Sequence, residues 1–279
     1  MLRYAKTKVT EPDRELLVTD ARLRFRDEGA GTAVLLIHGW TLDLDMWEPQ
    51  ARELRDSLRI IRYDRRGFGL SSGHPSLSHD VTDILALCEH LHLQSVALVG
   101  MSQGARVAAH VAAGHPGLVS HVILDGAPGG IVLDDPVAQS DIPIATYREL
   151  ARSGGPSEFL KEWRKHPLTQ LHTPDAVSQG LLQRMLARYR AEDLSAPDAP
   201  APLPSVRADS IRAPALVISG ALDLETRIRA ADGLARCLPA SERAIVPEAG
   251  HMPNLDNPPA YNTLLRRFLV RPASTGSRN

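Results

Sequence analysis

Aromatic residues make up only 4% of this 279-residue chain, cysteine occurs twice, and neither sign of charge prevails, 32 Lys and Arg standing against 33 Asp and Glu. Each scarcity excludes something. A formal net charge of −1 supplies no basic field to draw in nucleic acid or an anionic membrane, so a small molecule is the expected partner. No apolar run approaches the ~18 uninterrupted residues of a membrane-spanning helix. The opening stretch MLRYAKTKVTEPDREL also lacks the charged and long apolar segments of a secretory leader. The expected location is the cytoplasm, without membrane contact. Cys88 and Cys237 lie far apart without CxxC spacing, which reads as two thiols packed as small hydrophobes. There is no HExxH, no other metal-ligand spacing and no GxGxxG, so neither a metal nor an organic cofactor is expected.

What is present is a core's worth of apolar residues, 43% of the chain, enough for one large domain with an inserted subdomain. Short Val- and Ile-rich runs recur at Ala33 to Ile37, Ile60 to Tyr63, Val96 to Gly100, Val122 to Leu124, Ala215 to Ser219 and Ala244 to Val246. Uninterrupted runs of this length suit strands buried on both faces. Between them, Val81, Ile84, Leu85, Cys88 and Leu91 repeat at helical spacing, as do Tyr261, Leu264, Leu265 and Phe268. Strand alternating with helix predicts an α/β fold, a mostly parallel central sheet with helices on both faces. Leu16 to Phe25 alternates with period two, as an antiparallel strand leading into that sheet would.

From Gly130 to Arg212 the alternation stops. No strand-like run appears, and amphipathic helical segments fill Ile144 to Arg152, Ser157 to Lys165 and Ala176 to Tyr189. The proline-rich SAPDAPAPLP, Ser195 to Pro204, cannot continue a helix and reads as a tether. The expected organisation is a core of residues 1–129 and 213–279 with a helical cap over 130–212, roofing the crevice at the carboxyl edge of the sheet. The terminal PASTGSRN reads as a frayed tail. The chain has no internal repeat, and a homo-oligomer is left open.

The sharpest chemical signal is Gly100-Met101-Ser102-Gln103-Gly104, set between the strand SVALV and the helical pattern ARVAAHVAA. A strand that turns abruptly into a helix strains the residue at the turn, and glycines two positions to either side remove the side chains that would collide. Ser102 would then project as a nucleophile. A serine hydroxyl needs a base within hydrogen-bond reach, itself oriented by a third group. Among eleven histidines, His251 follows the strand run Ala244 to Val246 in a loop marked by Gly250 and Pro253. Asp223, just after the strand ALVIS, is the preferred acid, with Asp125, one strand earlier, as the alternative. Asp256 lies so soon after His251 in the chain that it reads as a surface or capping residue.

A tetrahedral intermediate also needs donors for its oxyanion, and the backbone amides of Gln103 and Trp40 are the candidates. Met101, Met252 and Trp40 adjoin these positions in sequence and would give the pocket an apolar wall. From the insertion, Tyr147, Trp163 and the cations Arg148 and Lys165 are further pocket candidates. The plainer reading is that they pack within the cap or solvate its outside.

The strings HGWTLDLDMW (His38 to Trp47), RYDRRGFGLS (Arg62 to Ser71), GMSQG, SGALD (Ser219 to Asp223) and EAGHMPNLDNP (Glu248 to Pro258) together resemble the α/β-hydrolase superfamily. Within it the chain is similar to the branch of aryl esterases, cofactor-free haloperoxidases and 3-oxoadipate enol-lactonases. The resemblance implies the chain order nucleophile, acid, histidine, which Ser102, Asp223 and His251 obey. It assigns Arg65 and Gly67 a structural role. Relatives often carry Met after the serine and a second Gly after the elbow, where this chain has Gln103 and Ala105. Serine at position 102 argues against dehalogenases and epoxide hydrolases of this fold, whose elbow residue is Asp.

The expected function is therefore a serine hydrolase of a small carboxylic ester or lactone, working through an acyl-enzyme. Alternatives are a carbon–carbon bond hydrolase of a diketone acid, which the same triad serves, and a non-enzymatic ligand-sensing module on the same fold. With so few aromatics and a polar insertion, a lipase acting at a lipid surface is disfavoured.

Overall fold

The computed structural model describes residues 12–133, 141–196 and 202–270. The expected leader-free start, the terminal tail and the middle of the Ser195 to Pro204 tether fall outside them. Ten strands are present in the described residues: β1 (Arg14–Val18), β2 (Ala21–Glu28), β3 (Ala33–Ile37), β4 (Arg59–Tyr63), β5 (Val96–Met101), β6 (Val119–Asp125), β7 (Ile131–Val132), β8 (Val206–Arg207), β9 (Ala215–Gly220) and β10 (Ser241–Val246). The helices are α1 (Glu48–Leu54), α2 (Leu77–His90), α3 (Gln103–Gly114), α4 (Ile144–Trp163), α5 (Ala176–Arg188), α6 (Glu192–Ser195), α7 (Glu225–Cys237), α8 (Pro253–Asp256) and α9 (Pro258–Leu269).

Eight strands form one sheet in the order β1-β2-β4-β3-β5-β6-β9-β10. From β4 to β10 the neighbours are parallel, and β2 meets β4 antiparallel. Why the central runs are apolar without a break follows from their side chains. Along β3, Val34 and Leu36 enter one core while Ala33, Leu35 and Ile37 enter the other. In β9, Leu216 and Ile218 divide from Ala215 and Val217 in the same way. Successive side chains point to opposite faces, so a strand covered on both sides needs apolar residues at every position. The first face is covered by α1 and α9 through Leu54, Tyr261 and Leu265, the second by α2, α3 and α7 through Ile84, Val107 and Leu234. Truncating one such buried Leu to Ala costs about 2–5 kcal/mol.

Two readings of the sequence change here. The period-two stretch is a hairpin of β1 and β2 rather than one strand, turning at Asp20 with φ 57°; the alternation carries on across so tight a turn. The 130–212 segment is not free of strand, because β7 and β8 pair in parallel where the segment leaves and rejoins the sheet. Two-residue strands are too short to leave a periodic signature. The helical segments are present, α4 being bent at Gly155 (φ 72°) just before Pro156. Among the described residues no helix is long and apolar enough to cross a membrane. Cys88 is buried, which pushes its thiol up to about 11, and Cys237 is half-buried.

Candidate active site

Because β3, β5, β6, β9 and β10 run parallel, their carboxyl ends share one edge of the sheet, where ligands bind in folds of this kind. At the end of β5 the chain breaks into α3 at Ser102, whose φ of 52° and ψ of −116° are outside the ordinary helix and strand regions. Such a conformation costs on the order of 1–3 kcal/mol and persists only where its surroundings hold it. Here the Ser102 amide donates to the Asp125 carbonyl at 2.8 Å, and the Ser102 carbonyl accepts from the amides of Ala105 and Arg106 at 3.0 and 3.2 Å. The flanking glycines are obligatory on steric grounds. A Cβ on Gly100 would lie 2.6 Å from the Ala105 Cα, and one on Gly104 2.6 Å from the His38 carbonyl oxygen.

His251 donates from Nδ1 to the Asp223 carboxylate across 2.9 Å, with both side chains buried. Asp223 also accepts from the Leu224 amide at 2.8 Å. An imidazole whose Nδ1 proton is held by a carboxylate presents an unprotonated Nε2 as a base. The room for this ring comes from Gly126 at the end of β6, with φ +74°, where a Cβ would stand 2.8 Å from His251 Cε1.

Asp256, read from sequence as a surface or capping residue, is instead buried. One of its oxygens accepts from the Gly250 amide at 2.7 Å and the other from the amides of His172 and Thr173 at 2.6 and 3.1 Å. It thus ties the residue before His251 to the segment between α4 and α5. Asp125, the alternative acid, is not bonded to His251. Its carboxyl is fully buried beside the Tyr261 hydroxyl. Burial first, and then the charge of Asp223, hold it well above the usual carboxylate range.

Ser102, His251, Gln103 and Trp40 border one cavity. Met101 and Met252, which adjoin these positions in sequence, also line it, and so does Trp163, for which packing within the cap is the plainer reading of the sequence. Tyr147 does not; it stands behind that wall, packed on Trp40, Phe159 and Trp163 at ring separations of 6.5, 5.2 and 5.7 Å. A large aromatic on an amphipathic helix satisfies core and pocket patterns equally, so sequence could not separate the two. Lys165 is outside, paired with Glu162 at 2.7 Å, and the exposed Arg148 borders an outer opening that shares Trp40, Gln103 and Ile142 with this cavity.

The Trp40 ring is fixed by its Nε1, which donates to Asp193 in α6 at 2.6 Å, and Trp163 Nε1 donates to the Thr41 hydroxyl at 2.9 Å. Gln103 is held by Arg65, both of whose terminal nitrogens donate to Oε1 at 3.2 Å. Arg65 is itself anchored on Asp80 at 2.8 Å. The structural role implied for Arg65 therefore extends to the residue after Ser102. His38, close to this cluster, is no competing base: Nε2 accepts from the Arg65 amide at 2.9 Å, and burial holds its pKa well below the usual imidazole value. The described residues contain no group of three His, Cys, Asp or Glu placed to hold a metal ion.

Comparison with known proteins bears on the fold. Residues 32–258 match the model of the alpha/beta hydrolase fold family. The chain is 31% identical to a non-heme haloperoxidase from Rhodococcus erythropolis over 169 residues, 57% of this chain and 61% of that protein, so it matches about three-fifths of that relative's length. It is 27% identical to a putative 2-succinyl-6-hydroxy-2,4-cyclohexadiene-1-carboxylate synthase from Bacillus subtilis, covering 89% of this chain and 95% of the other. Among solved structures, a thermophilic esterase from Thermogutta terrifontis superposes with a TM-score of 0.75 at 26% identity, over 93% of this chain and 98% of that one. An enol-lactonase from Burkholderia xenovorans shares the fold, with a TM-score of 0.76 at 24% identity over 92% and 100% of the two chains. With the family model spanning most of its length, the chain belongs to the alpha/beta hydrolase fold family.

Proposed function

We propose that this enzyme is a serine hydrolase of small carboxylic esters or lactones, acting through an acyl-enzyme on Ser102. The observation that carries the reading is the His251–Asp223 hydrogen bond of 2.9 Å, in a histidine that borders the same cavity as a serine strained at a strand-to-helix turn. In the first half-reaction Ser102 Oγ bonds to the acyl carbon while His251 Nε2 takes its proton. The oxyanion is held by the amides of Gln103 and Trp40, worth about 3 kcal/mol each in comparable sites. Collapse breaks the bond to the leaving oxygen, which receives the proton from His251; in a lactone that oxygen stays tethered to the acyl group. Water, deprotonated by His251, then attacks the acyl carbon and releases Ser102 with its proton restored. Asp223 keeps its negative charge throughout and stabilises the imidazolium.

The described part of residues 130–212 serves as a cap in this reading, contributing Ile142, Trp163 and Leu168 to the apolar wall. That wall suits an apolar acyl or ring-bearing group.

A fluorophosphonate probe together with p-nitrophenyl acetate tests the assignment. Wild type is expected to be labelled on Ser102 and to turn over, with turnover lost in Ser102→Ala and His251→Ala. A folded wild type that is neither labelled nor active would overturn it.

A further inference from the structure

Ser102 stands between two openings of different character. Beside the apolar cavity, and sharing Ser102, Gln103 and Ile142 with it, lies a second cavity that also meets Arg106, Asp141 and Arg227. The two arginines are not equivalent. Arg227 is neutralised by Asp141, donating from Nε at 2.6 Å and from one terminal nitrogen at 2.8 Å, and it also reaches the Ala127 carbonyl at 3.3 Å.

Arg106 has no carboxylate partner among the described residues. One terminal nitrogen donates to the Leu203 carbonyl, and Nε is buried without any acceptor. The loop gives its guanidinium room at Gly130, where φ is +82° and a Cβ would come within 2.5 Å of Arg106 Cζ. A guanidinium stays charged in a protein, and a half-buried charge without a counter-ion is costly unless an anion arrives. Counting Arg106 and Arg227 against Asp141, the described residues of the cavity wall carry one net positive charge.

Its distance from the nucleophile is set by the helix. The Arg106 amide donates to the Ser102 carbonyl at 3.2 Å, which puts the two residues one turn apart, about 6 Å along α3. We propose that Arg106 binds a carboxylate on the substrate, so that the preferred substrates are short esters or lactones bearing a free acid a few carbons from the scissile carbonyl. This rests on the reading of Ser102 as the nucleophile. The carboxylate accepts charge-assisted hydrogen bonds from Arg106, which lines this cavity and gives one terminal nitrogen to the Leu203 carbonyl, while the apolar chamber takes the rest of the molecule.

The test compares monomethyl glutarate with methyl pentanoate, in which a methyl replaces the carboxylate, by pH-stat in wild type, Arg106→Gln and Arg106→Lys. The ratio of kcat/KM for the two esters is taken within each protein, so that any loss of folded material cancels. Wild type is expected to favour the glutarate ester at least tenfold. Arg106→Gln should bring the ratio near one through a KM about 10- to 100-fold higher for the acid, and Arg106→Lys should keep part of the preference. A wild-type ratio at or below one, or an unchanged ratio in Arg106→Gln, overturns the inference while leaving Ser102 as nucleophile. Hydrolysis of neither ester by a folded wild type overturns the serine-hydrolase reading and this inference with it.

Discussion

Two neighbouring parallel strands, β6 and β9, each deliver an aspartate to the edge of the sheet, and the two carboxyls meet opposite fates. Asp125 is the last residue of β6, still paired with Ile218 across the ladder. Its side chain follows Ile123 toward the face where Tyr261 of α9 packs, and there it is fully buried. Asp223 stands three residues past Gly220, the end of β9, on a loop that lets it receive both the His251 ring and the Leu224 amide. A few residues of loop therefore separate a carboxylate supplied with donors from a carboxyl whose pKa burial and the charge of Asp223 hold well above the usual carboxylate range. Position along the fold names both residues as candidate acids; the local hydrogen bonds divide the roles.

The comparison breaks most sharply at Asp223→Asn. Asparagine keeps the shape but can stabilise the wrong imidazole tautomer, and kcat should fall by about 10⁴-fold, measured with p-nitrophenyl acetate. Next comes Gly126→Ala, whose methyl would press on His251 from the β6 side. A displacement of the ring by about 1 Å is expected to lower kcat by on the order of 10²-fold, and the strained φ should also lower Tm. Asp256→Ala removes the acceptor of the Gly250, His172 and Thr173 amides. It should cost about 1–3 kcal/mol in denaturant unfolding, with a smaller loss of kcat than Gly126→Ala.

The smallest catalytic effect is expected at Asp125→Asn, less than about threefold, because asparagine imitates a neutral carboxyl. Its signature lies in stability. Asp125 binds its proton more tightly in the folded than in the unfolded chain, so its contribution is fully present below the ordinary carboxylate value of 3.8. That contribution is lost as pH rises from there toward the folded value. Asparagine does not titrate, so the Tm of Asp125→Asn relative to wild type should rise between pH 4 and neutrality. A difference independent of pH, or falling with pH, would mean that Asp125 is charged in the fold.

The core of the site is legible in the sequence for physical reasons. Strands covered on both faces leave unbroken apolar runs, and the Ser102 turn announces itself through two glycines that no other residue can replace without a backbone collision. His251 and Asp223 are found by their places just beyond such runs. What escapes is whatever depends on partners distant in the chain. Asp256 is bonded to amides 83 and 84 residues away, and nothing near it in sequence signals them. The same holds for Asp193 fixing Trp40 across 153 residues and for Tyr147, whose aromatic surroundings are assembled only when α4 bends at Gly155 and meets Trp40.

Peptide mass mapping of protein quenched during the first turnover of p-nitrophenyl acetate is the most direct measurement. An acetyl group on Ser102 should form at the same rate in wild type and Asp125→Asn, and about 10⁴-fold more slowly in Asp223→Asn. An adduct on another residue, or equal slowing by the two aspartate substitutions, would contradict the division of roles between the two strand ends.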